Sequence, residues 1–253
     1  MRVDRRTMLQ AAVALGAVPL AGCEGSPPAP AARPEPPPSS APPPPPAASP
    51  SRTALPAEVT NGPRDKPNVA LTFHGQGEAA QVRALLGELE KGGARVTVLA
   101  VGSWLQAQPD MARRILDGGH ELGNHTQTHG PIASMDSARA FAEINTCAQL
   151  LKRLTGSIGT WFRPSQTQHA TALIQAQATR VGYPTCLSYD LDSLDYTDPA
   201  PAAVVSTVAK SVQNGSIVSL HFGHATTVTA IPEILDRLRQ RGLRPVTMTE
   251  LVS

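Results

Sequence analysis

Two histidines four residues apart are the first candidates for chemistry in this sequence. His125 and His129 end the segment 118–129, which reads Gly-Gly-His-Glu-Leu-Gly-Asn-His-Thr-Gln-Thr-His. If this segment opens a helix, both imidazoles fall on one face and can bind one divalent metal ion. The same spacing also fits two solvent-facing histidines on a helix surface. A metal site therefore needs a third ligand from elsewhere in the chain.

The segments that must position these residues alternate between apolar runs and amphipathic stretches. Predicted strands cover residues 68–73, 95–101, 160–163, a stretch near 186, 216–221 and 244–248. Predicted helices cover residues 78–91, 109–116, 136–154, 168–180, 199–213 and 231–241. Repeated strand-helix units predict a parallel sheet, either open and doubly wound or closed into a barrel.

Ionisable residues end several of the predicted strands. His74 follows the first strand, Arg163 ends another, Asp192 and Asp195 lie beyond a third, and His221 ends the strand 216–221. The carboxyl ends of parallel strands meet at one edge of the sheet, where α/β folds place their active sites. Together with the histidine pair, these side chains predict one catalytic mouth.

Composition divides the chain into a tail and one domain. Thirteen of the 25 prolines lie between Pro27 and Pro50, which predicts a stiff, extended linker over residues 23–62. Residues 63–253 are then enough for one compact domain. The first six residues carry a net charge of +2, which equals the formal charge of the whole chain, so the remaining residues are near neutral. We therefore expect no nucleic-acid partner.

The first 22 residues have the pattern of an export signal. Arg5-Arg6 precedes a short apolar run, and Leu20-Ala21-Gly22-Cys23 resembles a bacterial lipoprotein box, in which the cysteine is acylated. We therefore expect an exported monomer that is lipid-anchored through Cys23 at the outer face of the cytoplasmic membrane. An ordinary secretory leader with a chance cysteine is the alternative. Cys147 and Cys186 are expected to be two separate buried thiols, although a pairing cannot be read from sequence.

Four short motifs resemble those of the polysaccharide deacetylases, the NodB-like domains of carbohydrate esterase family four. His125-Thr126-Gln127-Thr128-His129 resembles the family's metal-binding segment, and Phe162-Arg163-Pro164 resembles its arginine segment. Asp192-Ser193-Leu194-Asp195-Tyr196 resembles D-x-x-D-W, and Ser219-Leu220-His221 resembles L-x-H. The resemblance runs from Lys66 to the end and implies an irregular (β/α) barrel.

The resemblance also implies roles for individual residues. His125 and His129 would hold a divalent metal, expected to be zinc. His221 would be the acid that protonates the leaving group, and Asp192 the aspartate that keeps its imidazole charged. Leu220 and Tyr196 would line the acetyl pocket.

The first motif departs from the family pattern. The family has Thr-Phe-Asp-Asp-Gly, with a catalytic base followed by a metal ligand, whereas this chain has Thr72-Phe73-His74-Gly75-Gln76. His74, facing Arg163, is expected to be a neutral imidazole that serves as base or as third ligand. A degenerate pocket in which His74 only fills space is the alternative.

Three functions remain open from the sequence. The first is a metal-dependent hydrolase that removes acetyl groups from peptidoglycan, chitin-like or similar amino-sugar polymers at the cell envelope. The second is a domain that binds cell-wall glycan with weak or no turnover, because both carboxylates of the first motif are gone. The third is another metal-dependent hydrolysis on the same scaffold, such as an amide or deaminase-like reaction.

Overall fold

The computed structural model describes residues 55–253. The predicted leader, Cys23 and the linker up to residue 54 lie outside the described residues. In the described part of the chain, no helix combines the length and the apolar character needed to cross a membrane.

Eight short strands form the centre of the domain, and every paired strand runs parallel to its neighbour. They are β1 (Glu58–Val59), β2 (Asn68–Gly75), β3 (Thr97–Ala100), β4 (Glu121–Asn124), β5 (Cys186–Leu187), β6 (Leu191–Asp192), β7 (Ile217–His221) and β8 (Arg244–Val246). The order is β4-β3-β2-β7-β6, with β8 also on β2 and β1 on β5.

Helices cover the outside of the strands. They are α1 (Ala79–Lys91), α2 (Gly102–Ala107), α3 (Asp110–Asp117), α4 (Ser137–Thr155), α5 (Ala172–Val181), α6 (Pro201–Ser211), α7 (Ala225–Gln240) and α8 (Met248–Leu251). The side chains of Asp136 and Thr171 accept backbone N–H groups at the starts of α4 and α5. These caps satisfy N–H groups that a helix start leaves free.

The sheet closes into an irregular barrel. Phe162 bridges the gap between β4 and β5 through isolated pairings with Asn124 and Cys186. The chain then continues from β5 into β6, which pairs with β7. The predicted α/β fold with a barrel-like parallel sheet is confirmed, although the predicted strand 160–163 is reduced to this single bridging residue.

Several element boundaries differ from the sequence prediction. The last predicted helix was 231–241, but α7 begins six residues earlier at Ala225 and runs through Pro232. The short helix α2 was not predicted. β1 lies inside the stretch assigned to the linker, and Val59 is buried, so the folded domain begins before residue 63.

The two faces of β2 have opposite character because strand side chains alternate. Leu71 and Phe73 belong to the main hydrophobic cluster beneath the helices. Thr72 and His74 lie on the other face, where Thr72 accepts a hydrogen bond from Arg163 and His74 contacts His125. The carboxyl end of β2 thus places His74 in the polar interior of the barrel.

Candidate active site

Four predicted site residues meet at the carboxyl edge of the sheet. Nδ1 of His74 lies 2.8 Å from Nε2 of His125, and Nε2 of His74 lies 3.4 Å from Nη1 of Arg163. The ring of His221, opposite His74 in the β2–β7 register, stacks on the His74 ring at a centroid distance of 4.3 Å. These side chains, which the sequence predicted to gather at one edge of the sheet, therefore lie close together there.

Three imidazoles in this mouth form a group that can hold a metal ion. One nitrogen from each of His74, His125 and His129 lies within 4.8 Å of the other two. Burial lowers the pKa of all three rings, and for His74 and His125 the fall is well below the usual histidine range. Neutral imidazoles keep the lone pair that a metal needs.

The hydrogen bonds determine which ring nitrogens carry protons in the neutral cluster. Nδ1 of His125 lies 2.9 Å from the carbonyl oxygen of Arg163, which can only accept, so this nitrogen donates. Nε2 of His125 then carries a lone pair and accepts from Nδ1 of His74. Nε2 of His74 in turn accepts from the hydroxyl of Ser219 at 3.1 Å.

The segment that joins the two metal-binding candidates is a loop and not the start of a helix. β4 ends at Asn124, and Thr126 and His129 both adopt left-handed backbone conformations with φ of 66° and 60°. Such a conformation costs a non-glycine residue roughly 1–2 kcal/mol. The loop nevertheless brings the rings of His125 and His129 together, with centroids 4.9 Å apart. The helical geometry assumed from the four-residue spacing is therefore wrong, but the expected proximity is present.

Arg163 is a fully buried cation beneath His74. Its guanidinium donates to Thr72 Oγ1 and to the carbonyl oxygens of Ser188 and Leu187, and it lies 5.2 Å from the Tyr189 ring centroid. Among the described residues no carboxylate pairs with it. Burial lowers its pKa to about 9, so the group remains charged at neutral pH. Its charge also lowers the pKa of His74, after the larger effects of burial and of His125.

The aspartate that holds His221 is Asp195, not the predicted Asp192. Asp195 Oδ1 lies 2.7 Å from Nδ1 of His221, and Oδ2 accepts from the His221 backbone N–H and from Thr227 Oγ1. Burial alone would raise the pKa of Asp195, but these hydrogen bonds outweigh it and the pKa is lowered. Asp192 instead accepts from the N–H of Leu194 and closes a local turn.

Leu220 does not line the mouth as predicted. It is fully buried in the main hydrophobic cluster on the helix-facing side of β7, whereas His221 and Ser219 share the interior side. In the L-x-H pattern the leucine stands two residues before the histidine, and that position is held here by Ser219. Strand alternation therefore moves the pocket position from Leu220 to Ser219.

Tyr196, which the family resemblance placed in the acetyl pocket, lies beside His221. Its ring centroid is 5.1 Å from that of His221, and the residue is 47% exposed. It therefore forms part of the open rim of the mouth.

The three imidazoles match zinc in chemistry, but their nitrogens, which lie within 4.8 Å of one another, must first move to the spacing that zinc requires. Zinc bonded to imidazole nitrogens at about 2.0–2.1 Å in a tetrahedron separates neighbouring nitrogens by about 3.3 Å. The His74 and His125 nitrogens are 2.8 Å apart, so the two rings must separate by about half an ångström. His74 must also move its proton from Nδ1 to Nε2, where Ser219 Oγ can accept it.

Residues 61–185 match the family model described as polysaccharide deacetylase. His74, His125, His129 and Arg163 lie inside the matched range, whereas Asp195 and His221 follow it. The chain is 28% identical to a peptidoglycan-N-acetylglucosamine deacetylase of Bacillus cereus, over 75% of this chain and 90% of that protein. It is 23% identical to the YlxY protein of Bacillus subtilis over 78% of this chain, but spans only 61% of that protein.

A solved structure with the same fold is a CE4 family pseudoenzyme of Bacillus anthracis. The two structures superpose with a TM-score of 0.74 at 22% identity, over 79% of this chain and 70% of that one. A mutant of that pseudoenzyme is described as having restored enzymatic activity. The family model and the relative in Bacillus cereus support a polysaccharide deacetylase domain in this chain, and the solved structure supports its fold.

Proposed function

We propose that the protein is a metal-dependent hydrolase that removes acetyl groups from an amino-sugar polymer of the bacterial cell envelope. One observation carries the proposal: His74, His125 and His129 converge within 4.8 Å beside the His221–Asp195 pair. A three-imidazole donor set is one that catalytic zinc sites use. The substrate class is supported by the relative in Bacillus cereus, which acts on peptidoglycan N-acetylglucosamine.

His74 is proposed as the third ligand rather than as the base. Its Nδ1 lies 2.8 Å from Nε2 of the candidate ligand His125, whereas its Nε2 faces Ser219 and Arg163. As a ligand it would take the place of the family's absent metal-binding carboxylate. One imidazole nitrogen cannot both ligate a metal and abstract a proton.

The other side chains of the site have separate roles in the proposed reaction. A metal held by His74, His125 and His129 would supply Lewis-acid polarisation of the acetyl carbonyl and would acidify a water molecule. The carboxylate of Asp195 fixes Nδ1 of His221, so Nε2 of His221 is free to hold a proton at the mouth. The attacking water would give its proton to this free Nε2, and His221 would pass the proton to the leaving amine nitrogen as the C–N bond breaks. Burial, with smaller contributions from His125 and from the charge of Arg163, lowers the pKa of His74, so its imidazole is neutral and able to ligate.

A second candidate function, glycan binding without turnover, is favoured by a different observation. His74 and His125 hydrogen-bond to each other at 2.8 Å, which satisfies both rings without a metal. Both carboxylates of the family's first motif are also replaced, by His74 and Gly75. The similar fold of the Bacillus anthracis pseudoenzyme gives this candidate a precedent within the family.

The proposed location of the protein rests on the sequence and on its relatives. A lipid anchor at Cys23 followed by the proline-rich linker would hold the domain at the outer face of the cytoplasmic membrane, within reach of peptidoglycan. The relative in Bacillus cereus acts on that polymer. Mass spectrometry of the protein purified from the membrane fraction tests whether Cys23 is acylated. The Cys23→Ser variant should no longer be found in that fraction.

The experiment that separates the two functions measures zinc content and acetate release on the same preparation. The purified protein is assayed on acetylated chito-oligomers and on peptidoglycan, beside His221→Ala. His169→Ala is the matched control, because His169 is exposed and pairs with Glu58 instead of a mouth residue. Bound zinc with acetate release that His221→Ala abolishes supports the hydrolase. Glycan binding without acetate release supports the second candidate.

A further inference from the structure

We propose that Glu143 is a positioning residue that holds the loop between His125 and His129 in its metal-binding shape. The inference rests on the proposed metal site. It concerns a side chain that contacts neither imidazole and that no motif of the sequence singles out. Its contacts are to the peptide groups between the two candidate ligands.

The carboxylate of Glu143 accepts hydrogen bonds from two successive backbone N–H groups of this loop. Glu143 Oε2 accepts from the backbone N–H of Gln127 at 3.0 Å and from that of Thr128 at 2.8 Å. Glu143 Oε1 accepts from the hydroxyl of Thr128 at 2.8 Å. Successive N–H groups that point to one side form a concavity suited to an anion, and here the anion is this side chain.

The other peptide groups of the loop are bound from different directions. The Thr126 N–H donates to Asn124 Oδ1, the N–H of Gly102 donates to the Thr126 carbonyl, and the N–H of Ser103 donates to the Gln127 carbonyl. These contacts fix the loop on the side of β4 and α2. Glu143 fixes it from the side of α4, so the two left-handed residues are held between two anchors.

α4 is a rigid support for this contact. It spans 19 residues, and Ala140 and Cys147, which precede and follow Glu143 by about one turn, are fully buried in the core. Because the core holds this helix in place, a carboxylate on it can hold the loop in a fixed position. Removal of Glu143 therefore leaves the fold in place but releases the peptide between the ligands. Loss of an outer support of this kind typically weakens metal affinity about 10–100-fold.

The test compares Glu143→Ala and Glu143→Gln with Glu233→Ala, a surface glutamate of α7 that pairs only with Arg237. Cobalt binding is followed by its visible absorption, and amide hydrogen exchange is followed at Gln127 and Thr128. We expect Glu143→Ala to bind cobalt about 10–100-fold more weakly and to exchange both amides faster, with an unchanged thermal midpoint. Glu143→Gln should recover part of both properties, because its carbonyl oxygen still accepts an N–H.

Two outcomes separate this inference from the proposed function. If Glu143→Ala binds cobalt as tightly as Glu233→Ala and keeps both amides protected, the positioning role is overturned. If the unaltered protein binds no cobalt but Glu143→Ala loses amide protection, the positioning role stands and the metal hydrolase is overturned. A fall in cobalt affinity that Glu143→Gln partly reverses upholds both.

Discussion

The imidazole of His74 stacks on the imidazole of His221, with ring centroids 4.3 Å apart and planes inclined by 20°. Burial, followed by the neighbouring His125 and Arg163, lowers the pKa of His74 well below the usual histidine range. Asp195 hydrogen-bonds to His221, whereas Arg163 faces His74. His74 is therefore neutral at neutral pH, whereas Asp195 fixes the orientation of His221. This division of roles leads to the predictions that follow.

Asp195→Asn should lower the rate of acetate release by about 100-fold or more, because it removes the carboxylate that fixes His221 in its proton-donating orientation. Asp192→Asn is the matched control, from the same segment, and should stay within a few-fold of the unaltered protein. The measurement is kcat/KM on acetylated chito-oligomers. A larger loss in Asp192→Asn than in Asp195→Asn would show that the observed hydrogen bond does not matter for the reaction.

His74→Ala should weaken zinc binding by more than tenfold, since it leaves His125 and His129 as the only imidazole ligands of the proposed site. Equilibrium dialysis against zinc measures the effect, with His169→Ala as control. Unchanged zinc content together with lost acetate release would instead identify His74 as the base. His74→Asp places a carboxylate opposite Arg163 and should recover zinc binding relative to the alanine variant.

The difference between Asp192 and Asp195 shows what sequence can and cannot resolve at this site. The strand-helix pattern predicted a parallel sheet with His74, Arg163 and His221 at one edge, and the resemblance of four motifs to the deacetylase family implied the barrel. It could not decide which of two aspartates three residues apart reaches the histidine. That choice depends on the turn at Leu194, whose left-handed backbone precedes a short 3-10 helix at Asp195–Thr197.

Stability should depend on pH through Asp195. Its pKa is lowered in the folded protein, so it stabilises the fold above the unfolded-state value of about 3.9, and this contribution is lost as the pH falls through the lower folded-state pKa. Asp195→Asn should therefore be less stable than the unaltered protein at pH 7, and the difference should shrink at pH 3. Urea unfolding at both pH values measures it. A difference of equal size at pH 3 would contradict the shift.

Two further features of the site differ in how far sequence could reveal them. The inward orientation of Ser219 and the burial of Leu220 follow from strand alternation, counted back from His221. The contact of Glu143 with Gln127 and Thr128 joins residues 15 or 16 positions apart across a loop and a helix. No local pattern predicts such a contact, because it depends on how α4 packs against the sheet.

Cys147 and Cys186 should be unreactive in the folded protein. Both are buried free thiols, as the sequence predicted, and burial raises the pKa of each to about 12. Almost no thiolate is then present at neutral pH, and the thiolate is the reactive form. In Cys23→Ser, a thiol reagent should label neither cysteine before denaturation and both after it. Rapid labelling of either one in the native protein would show that its environment is more open than the structure indicates.

The central claim is that His74, His125 and His129 hold one divalent metal ion. X-ray absorption spectroscopy at the zinc edge on the zinc-loaded protein tests it most directly, with His74→Ala measured beside it. The account predicts one zinc per chain with three imidazole nitrogens at about 2.0–2.1 Å, falling to two in His74→Ala. A protein that binds no zinc, or one whose zinc has the same number of imidazole ligands in both forms, would contradict it.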